Sequence, residues 1–231
     1  MPVASVTAVL VHSPYLGPAT LRPLADALAG SGRPAFLLDL LPSVVAPPVH
    51  QRLIGAFADA VSDAGLAGPL ALVGHGGAGP LLPAFADELA DAGGLDVAAL
   101  VYLDAELPTP GLSLRELDPA RYAAMRADEG RWGEGAAGLV AEPGLRAAIV
   151  DELPEVPHAY LKEARPSVPW TGPAGYVGLS HPADLVEARA NGWPTRDLDL
   201  HHLACATAPE PVARAVLEVL ADLGLGPVTA G

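Results

Sequence analysis

A glycine-rich turn between a predicted strand and a predicted helix constrains this sequence most. The apolar run Pro69–Val73 has the composition of a buried strand, and a helix is predicted to begin near Pro80. Between them lies Gly74–Gly79, with the sequence GHGGAG. A sharp strand-to-helix turn strains the backbone of any residue that carries a Cβ atom, whereas glycine adopts it without strain. The central residue, Gly76, therefore suits the turn but offers no side chain.

Two known motifs fit this turn. In the nucleophile elbow, G-x-S-x-G, a serine presents its hydroxyl above the sheet beside two backbone N–H donors, and here Gly76 stands at the serine position. The same residues satisfy G-x-G-x-x-G, the dinucleotide-binding pattern, through Gly74, Gly76 and Gly79. Asp104, at the end of the predicted strand Val97–Leu103, would then be the acidic residue that such a domain requires. The turn alone leaves both interpretations open.

The composition restricts the partners of the chain. Its 231 residues fit a single domain over positions 1–231. With 13 basic and 27 acidic residues, the net charge of −14 argues against nucleic acid and against an anionic membrane surface. A single cysteine excludes an internal disulfide, and neither a signal-peptide pattern nor a membrane-spanning apolar run occurs. We therefore expect a cytoplasmic protein that binds a small-molecule substrate or ligand, and a homodimer stays open.

Apolar runs alternate with helical patterns along the chain. The predicted strands are Val6–Val11, Ala35–Leu40, Pro69–Val73, Val97–Leu103, Gly175–Leu179 and Leu198–Leu200. The predicted helices between and after them are Pro18–Ala29, Gln51–Ala64, Pro80–Ala92 and Glu210–Leu223. Continuous apolar strands separated by helices are typical of a parallel sheet buried on both faces. The fold class is therefore α/β, with a mostly parallel sheet of about six strands flanked by helices.

One connection is much longer than the others. Residues 106–173 exceed the dozen or so residues that a strand-to-strand crossover requires. They contain helix-like pieces punctuated by Pro and Gly, and they carry Trp132 and Trp170. We predict a helical lid over this range.

Two further segments favour hydrolase-type chemistry. The turn-rich loop His12–Pro18 follows the first strand, where a serine hydrolase places one oxyanion donor, and the second donor is the residue after the nucleophile, here Gly77. Because Pro14 has no N–H, Ser13 or Tyr15 must supply the first donor.

The second segment contains two adjacent histidines near the C-terminus. His202 lies between the last strand and the last helix, where the histidine of a catalytic triad arrives in the order nucleophile, acid, histidine. Asp184 follows the preceding strand and is the predicted acid, with Asp104 as the other candidate. A carboxylate on the far nitrogen would fix the imidazole tautomer and raise its basicity. No metal site is predicted, because His201 and His202 are consecutive and no partner stands at ligand spacing.

Taken together, these segments resemble the α/β-hydrolase superfamily over nearly the whole chain. The resemblance rests on His12–Pro14 with Gly17 and Pro18, Gly74–Pro83, Val101–Ala105 and His202–Ala204. It is strongest to small bacterial members whose elbow reads G-H-S-G-A-G, and it implies serine esterase chemistry with an oxyanion hole. The chain departs from the family at Gly76, which replaces the serine, and at His201, where a glycine is usual. We also expect His12, Tyr15, His75 and Trp132 to contact the substrate.

This resemblance favours the elbow over the dinucleotide motif, so no cofactor is expected. The other candidate nucleophiles, Cys205, Ser13 and Ser180, do not stand at the elbow. The leading interpretation is a small-molecule enzyme in which His202 acts as general base, on water above Gly76 or on the substrate, for hydrolysis, elimination or cyclisation. The alternatives are a catalytically dead member that binds a ligand or partner, and a serine esterase inactivated at position 76.

Overall fold

A single parallel sheet forms the centre of the molecule. The computed structural model describes residues 6–128, 132–180 and 182–226. The six strands follow one another in the order β2-β1-β3-β4-β5-β6, and every pair is parallel. Their bounds are β1 Thr7–Val11, β2 Ala35–Leu38, β3 Leu70–His75, β4 Val97–Leu103, β5 Ala174–Gly178 and β6 Thr195–Asp197. The predicted α/β class and strand number are confirmed.

Helices cover both faces of this sheet. The longer ones are α1 Arg22–Gly30, α2 Val49–Asp63, α3 Leu82–Gly93, α5 Pro119–Ala127, α7 Pro143–Asp151, α8 Pro182–Ala190 and α10 Pro209–Asp222; the short ones are α4 Leu114–Leu117, α6 Glu134–Ala137 and α9 Ala204–Thr207. Helices α1 and α10 pack on one face, and α2, α3 and α8 on the other. On the second face Phe57 and Phe85 stack with ring centroids 4.3 Å apart. The core therefore lies in two layers, as a parallel sheet buried on both faces requires.

One predicted strand is wrong. The last strand is Thr195–Asp197, three residues before the predicted Leu198–Leu200. Asp199 adopts φ 46°, in the left-handed region, and this ends the extended conformation. The apolar residues Leu198 and Leu200 misled the prediction, because strand β6 lies at the sheet edge and is polar.

The 106–173 segment connects β4 to β5 and contains α4, α5, α6 and α7. Two of its carboxylates hydrogen-bond to backbone N–H groups in the elements that flank the sheet. Glu152 Oε2 accepts a hydrogen bond from Ala19 N at 2.5 Å, and Glu163 accepts from Val49 N at 2.8 Å and His50 N at 3.0 Å. The second contact caps the N-terminus of α2, where the helix dipole favours a negative charge. Among the described residues, no helix is both long and apolar enough to cross a membrane.

Candidate active site

The turn after β3 has the geometry that its glycines predict. Strand β3 ends at His75, and a 3₁₀ helix, Gly76–Leu81, leads directly into α3. Gly76 adopts φ +56°, which glycine tolerates and other residues rarely do. A Cβ atom built at Gly79 would lie 2.2 Å from the carbonyl oxygen of Glu106, so this position admits only glycine. Backbone geometry at Gly76 and packing at Gly79 thus explain these two glycines.

A buried aspartate orients His202 beside this turn. The Nδ1 atom of His202 lies 2.7 Å from Oδ2 of Asp104, whose side chain is fully buried. Asp104 Oδ2 also accepts from the Ser180 hydroxyl at 2.6 Å, and its Oδ1 accepts from Leu179 N at 2.7 Å and Ser180 N at 2.6 Å. Because a carboxylate with these donors accepts at both oxygens, Nδ1 of His202 carries the proton. The lone pair of this ring is therefore at Nε2, which makes Nε2 the basic nitrogen.

The aspartate at the imidazole is thus Asp104, and the prediction of Asp184 is corrected. Asp104 follows β4, and its carboxylate reaches the loop after the neighbouring strand β5. Asp184 lies in the first turn of α8, where its Oδ1 accepts from Leu107 N at 3.3 Å. Both residues follow strands that end at the same sheet edge, but Asp104 comes directly after its strand.

The imidazole of His202 lies against the turn. A Cβ atom built at Gly76 would be 3.0 Å from Nε2 of His202 and 3.5 Å from Cβ of Ser13. A nucleophilic side chain at position 76 would therefore lie next to this basic nitrogen.

His75 supports this imidazole from behind. The two rings stack with centroids 4.2 Å apart and an interplanar angle of 22°, and Nε2 of His75 lies 2.9 Å from the carbonyl oxygen of His202. His75 is fully buried and does not line the cavity described below. The expected substrate contact of His75 is therefore corrected to a packing role.

His12 has a similar structural role. Leu40 N donates to its Nε2 at 3.0 Å, so Nδ1 carries the proton and donates to the carbonyl oxygen of Ser13 at 3.0 Å. Burial lowers the pKa of His12, which keeps this ring neutral. With both nitrogens engaged and only 2% of its surface exposed, His12 braces the loop after β1 and does not face the cavity. The prediction of a substrate contact by His12 is corrected.

The loop braced by His12 lies across the turn. Tyr15 N donates to Oγ of Ser13 at 3.3 Å, which engages the Tyr15 N–H and leaves Ser13 N–H as the candidate oxyanion donor. A Cβ atom built at Gly77 would lie 3.2 Å from Oγ of Ser13 and 2.9 Å from the Tyr15 ring. Ser13 and Gly77, the two predicted oxyanion residues, are therefore adjacent across the loop and the turn.

A cavity of about 380 Å³ opens above these residues. Its floor contains Ser13, Gly76, Gly77 and His202, and the 106–173 segment supplies much of its wall. The wall residues include Tyr15, Leu16, Glu106, Arg121, Ala124, Met125, Asp128, Trp132, Gly133, Ala136 and Ser180. Trp132 meets Tyr15 edge to face, with centroids 5.5 Å apart. A small organic molecule fits this volume, and contact of Tyr15 and Trp132 with a substrate stays a prediction.

An ion-pair cluster in the cavity wall was not predicted. Glu106, two residues after Asp104, pairs with Arg121 at 2.8 Å and with Arg165, both from the 106–173 segment. Burial alone would raise the pKa of Glu106, but the two guanidinium groups outweigh it and hold this pKa below its ordinary value. Arginines distant in sequence give no local signal of such a pairing.

Two of the other candidate nucleophiles, Ser180 and Cys205, are engaged or buried. The Ser180 hydroxyl donates to Asp104, and Cys205 is fully buried at 3.7 Å from Nε2 of His75. Burial raises the pKa of the Cys205 thiol to about 12, so the reactive thiolate is scarce at neutral pH. Within residues 6–128, 132–180 and 182–226, no group of three or more His, Cys, Asp and Glu side chains is placed to hold a metal ion.

Comparisons with known proteins identify the fold but no sequence family. No protein-family model matches the chain, and no curated protein matches it by sequence. An extracellular α/β-hydrolase from a Paenibacillus species, said to share structural and functional homology with tobacco salicylic acid binding protein 2, has a TM-score of 0.67 at 15% identity. That match covers 93% of this chain and 98% of the other.

Two other solved structures are similar to the same extent. A variant of tomato methylketone synthase I complexed with β-ketoheptanoate has a TM-score of 0.65 at 13% identity, covering 95% of this chain and 99% of the other. A thermophilic esterase from Thermogutta terrifontis with malate bound has a TM-score of 0.63 at 18% identity, covering 95% and 91%. Together with the parallel sheet and the turn after β3, these similarities show that the chain has the fold of the α/β-hydrolase superfamily.

Proposed function

We propose that this protein is an enzyme for a small carbonyl compound, in which His202 acts as a general base without a serine nucleophile. The observation that carries the proposal is the 2.7 Å contact between Nδ1 of His202 and the buried carboxylate of Asp104. It directs the basic Nε2 to the cavity beside Gly76. Asp104 takes the positioning role that the sequence assigned to Asp184.

The missing hydroxyl restricts the chemistry. Without a serine at position 76, no acyl-enzyme forms at the elbow, so His202 acts on a water molecule or on a proton of the substrate itself. The first route gives direct hydrolysis of an ester or lactone, and the second gives elimination or cyclisation. Ser13 N–H and Gly77 N–H stabilise the oxygen on which negative charge develops. General-base assistance of this kind contributes roughly 10²–10⁴-fold to a rate.

The similar solved structures support a small-molecule substrate without naming it. They include an esterase and a variant of a protein named methylketone synthase, and the latter was solved with a β-keto acid. A shared fold does not transfer a reaction, so the assignment depends on the site of this chain. The 106–173 segment, which supplies much of the cavity wall, acts in this proposal as a lid that excludes bulk water.

The test is a screen for turnover followed by substitution of the base. Aryl esters, lactones and β-keto acids are incubated with the purified protein, and products are detected by mass spectrometry. His202→Ala should lower kcat on a transformed compound by at least about 10²-fold while ligand affinity stays within a few fold. His201→Ala is the matched control, because it removes the adjacent imidazole, whose Nε2 bonds Thr207, and it should retain turnover. Undiminished turnover in His202→Ala contradicts the proposal, and binding without turnover in the unsubstituted chain identifies a binding protein instead.

A further inference from the structure

The hydroxyl of Ser13 has a hydrogen that no group in residues 6–128, 132–180 and 182–226 accepts. Ser13 Oγ accepts from Tyr15 N, which occupies a lone pair. Among the described residues, the Ser13 hydroxyl donates no hydrogen bond. Ser13 is only 2% exposed, and it forms part of the cavity floor. Buried donors are normally paired, so this one indicates a missing acceptor.

The other serine at the site shows the contrast. Ser180 also lines the cavity, but its hydroxyl donates to Oδ2 of Asp104 at 2.6 Å. Ser180 is therefore committed to holding the carboxylate that orients His202. Of the two serines that line the cavity, Ser13 is the one whose hydroxyl hydrogen is available to a ligand.

The position of the Ser13 hydroxyl identifies the acceptor. Its Oγ lies 3.2 Å from a Cβ atom built at Gly77, and its Cβ lies 3.5 Å from one built at Gly76. The Ser13 hydroxyl thus lies beside Gly77, the residue proposed to supply one oxyanion N–H. Ser13 itself is proposed to supply the other. An oxygen bound by the N–H groups of Ser13 and Gly77 would therefore lie near the Ser13 hydroxyl.

We propose that the Ser13 hydroxyl is a further catalytic group, the third hydrogen-bond donor to the substrate oxygen that becomes negatively charged. This inference rests on the proposed function and specifies its substrate as a carbonyl compound that passes through an oxyanion, either tetrahedral or enolate. A hydroxyl donor suits a site without a serine nucleophile, because no covalent bond fixes the substrate and the oxyanion must be held by hydrogen bonds alone. Removal of one such donor typically costs on the order of 10²-fold in kcat.

Ser13→Ala removes the hydroxyl and keeps the N–H. On any compound that the protein transforms, we expect kcat to fall on the order of 10²-fold with KM within a few fold. Ser13→Cys keeps the shape of the side chain with a weak S–H donor, so it should resemble Ser13→Ala. Thermal unfolding of both variants checks that the loop is intact, since both change the acceptor of Tyr15 N–H.

A binding measurement separates this inference from the proposed function. Phenyl methylphosphonate, a tetrahedral anion, and acetophenone, a neutral ketone, are titrated into each protein by calorimetry. Loss of the donor should weaken the phosphonate about 10-fold or more and leave acetophenone within two- to threefold, because hydrogen bonds to charged groups are the strong ones. A purely structural role of Ser13 would weaken both probes equally.

The outcomes are distinguishable. If turnover depends on His202 but Ser13→Ala and Ser13→Cys keep both kcat and phosphonate affinity, the inference about Ser13 is overturned and the proposed function stands. If the phosphonate binds in a Ser13-dependent way but no compound is transformed, the donor is supported and the proposed function fails. Failure of the unsubstituted protein to bind the phosphonate also overturns the inference.

Discussion

Substitution of Gly76 by serine tests the candidate site most directly. In the structure Gly76 has φ +56°, and a Cβ atom there would lie 3.0 Å from Nε2 of His202. The imidazole must therefore move by a few tenths of an ångström to admit a side chain. The hydroxyl of Gly76→Ser would then stand beside the basic nitrogen, with the Ser13 and Gly77 donors nearby. We expect this variant to hydrolyse short-chain aryl esters through an acyl-enzyme, which the unsubstituted chain cannot form at position 76.

The cost in stability can be bounded from the backbone. A residue with a Cβ atom held in the left-handed region costs about 1–3 kcal/mol in the free energy of unfolding. For a chain of this length, that loss corresponds to a decrease in Tm of about 2–12 °C. The contact with His202 adds to the backbone strain, so Gly76→Ser should lie towards the upper part of this range.

Two control variants separate the contributions. Gly94 has φ +61°, and a Cβ atom built there would meet nothing within 4 Å, so Gly94→Ser measures backbone strain alone. Gly76→Ala reproduces the strain and the His202 contact without the hydroxyl, and it should lose stability without gaining esterase activity. Tm is measured by calorimetry, and activity with p-nitrophenyl acetate and a serine-directed phosphonate. An unchanged Tm in Gly76→Ser refutes the strained turn, and a folded but inert variant refutes the placement of His202 and the oxyanion donors.

Two further predictions concern carboxylates near the site. Asp104→Asn should lower kcat by about 10²–10⁴-fold. The partners of Asp104 named above, including Ser180 and His202, are all donors, and an amide in its place favours the His202 tautomer with Nε2 protonated. Asp184→Asn, by contrast, should change kcat by less than about threefold. The second prediction concerns Glu106, whose pKa two arginines hold below its ordinary value. Its ion pair therefore stabilises the fold at pH values above the ordinary carboxyl pKa, and this stabilisation is lost as the pH falls through the lowered pKa. The Tm difference between the unsubstituted protein and Glu106→Gln should therefore be largest near neutral pH and shrink in acid, and a difference independent of pH would contradict the ion pair.

The sheet was predictable because its central strands are continuous apolar runs. Strand β4 has the predicted bounds, Val97–Leu103; β1 starts one residue later than predicted, and β3 starts one residue later and ends two residues later. A strand buried on both faces must be apolar throughout, so its pattern is strong. The edge strand Thr195–Asp197 has no such requirement, and nearby leucines gave a stronger but incorrect signal.

The position of the acid was less predictable, because two aspartates follow adjacent parallel strands. Asp104 and Asp184 both lie at the carboxyl edge of the sheet, and the sequence cannot show which carboxylate reaches His202. What selects Asp104 is a set of contacts to the next loop, since Leu179 N and the N–H and hydroxyl of Ser180 all donate to it. Asp104 also adopts φ 45°, a conformation that aspartate tolerates better than most residues. These are tertiary contacts, and no spacing along the chain encodes them.

The histidines around the turn show the same limit and explain why His202 is the base. His12, His75 and His202 all stand in motifs typical of the fold, so a functional role was predicted for each. In the structure His12 uses both ring nitrogens within the protein, and His75 is buried against the His202 ring, with its Nε2 near the His202 carbonyl. His202 differs from both because it lines the cavity, and its Nδ1 is held by Asp104 while Nε2 meets Gly76. Basicity and access coincide at that nitrogen, so of these three rings only His202 combines the two properties that a general base requires.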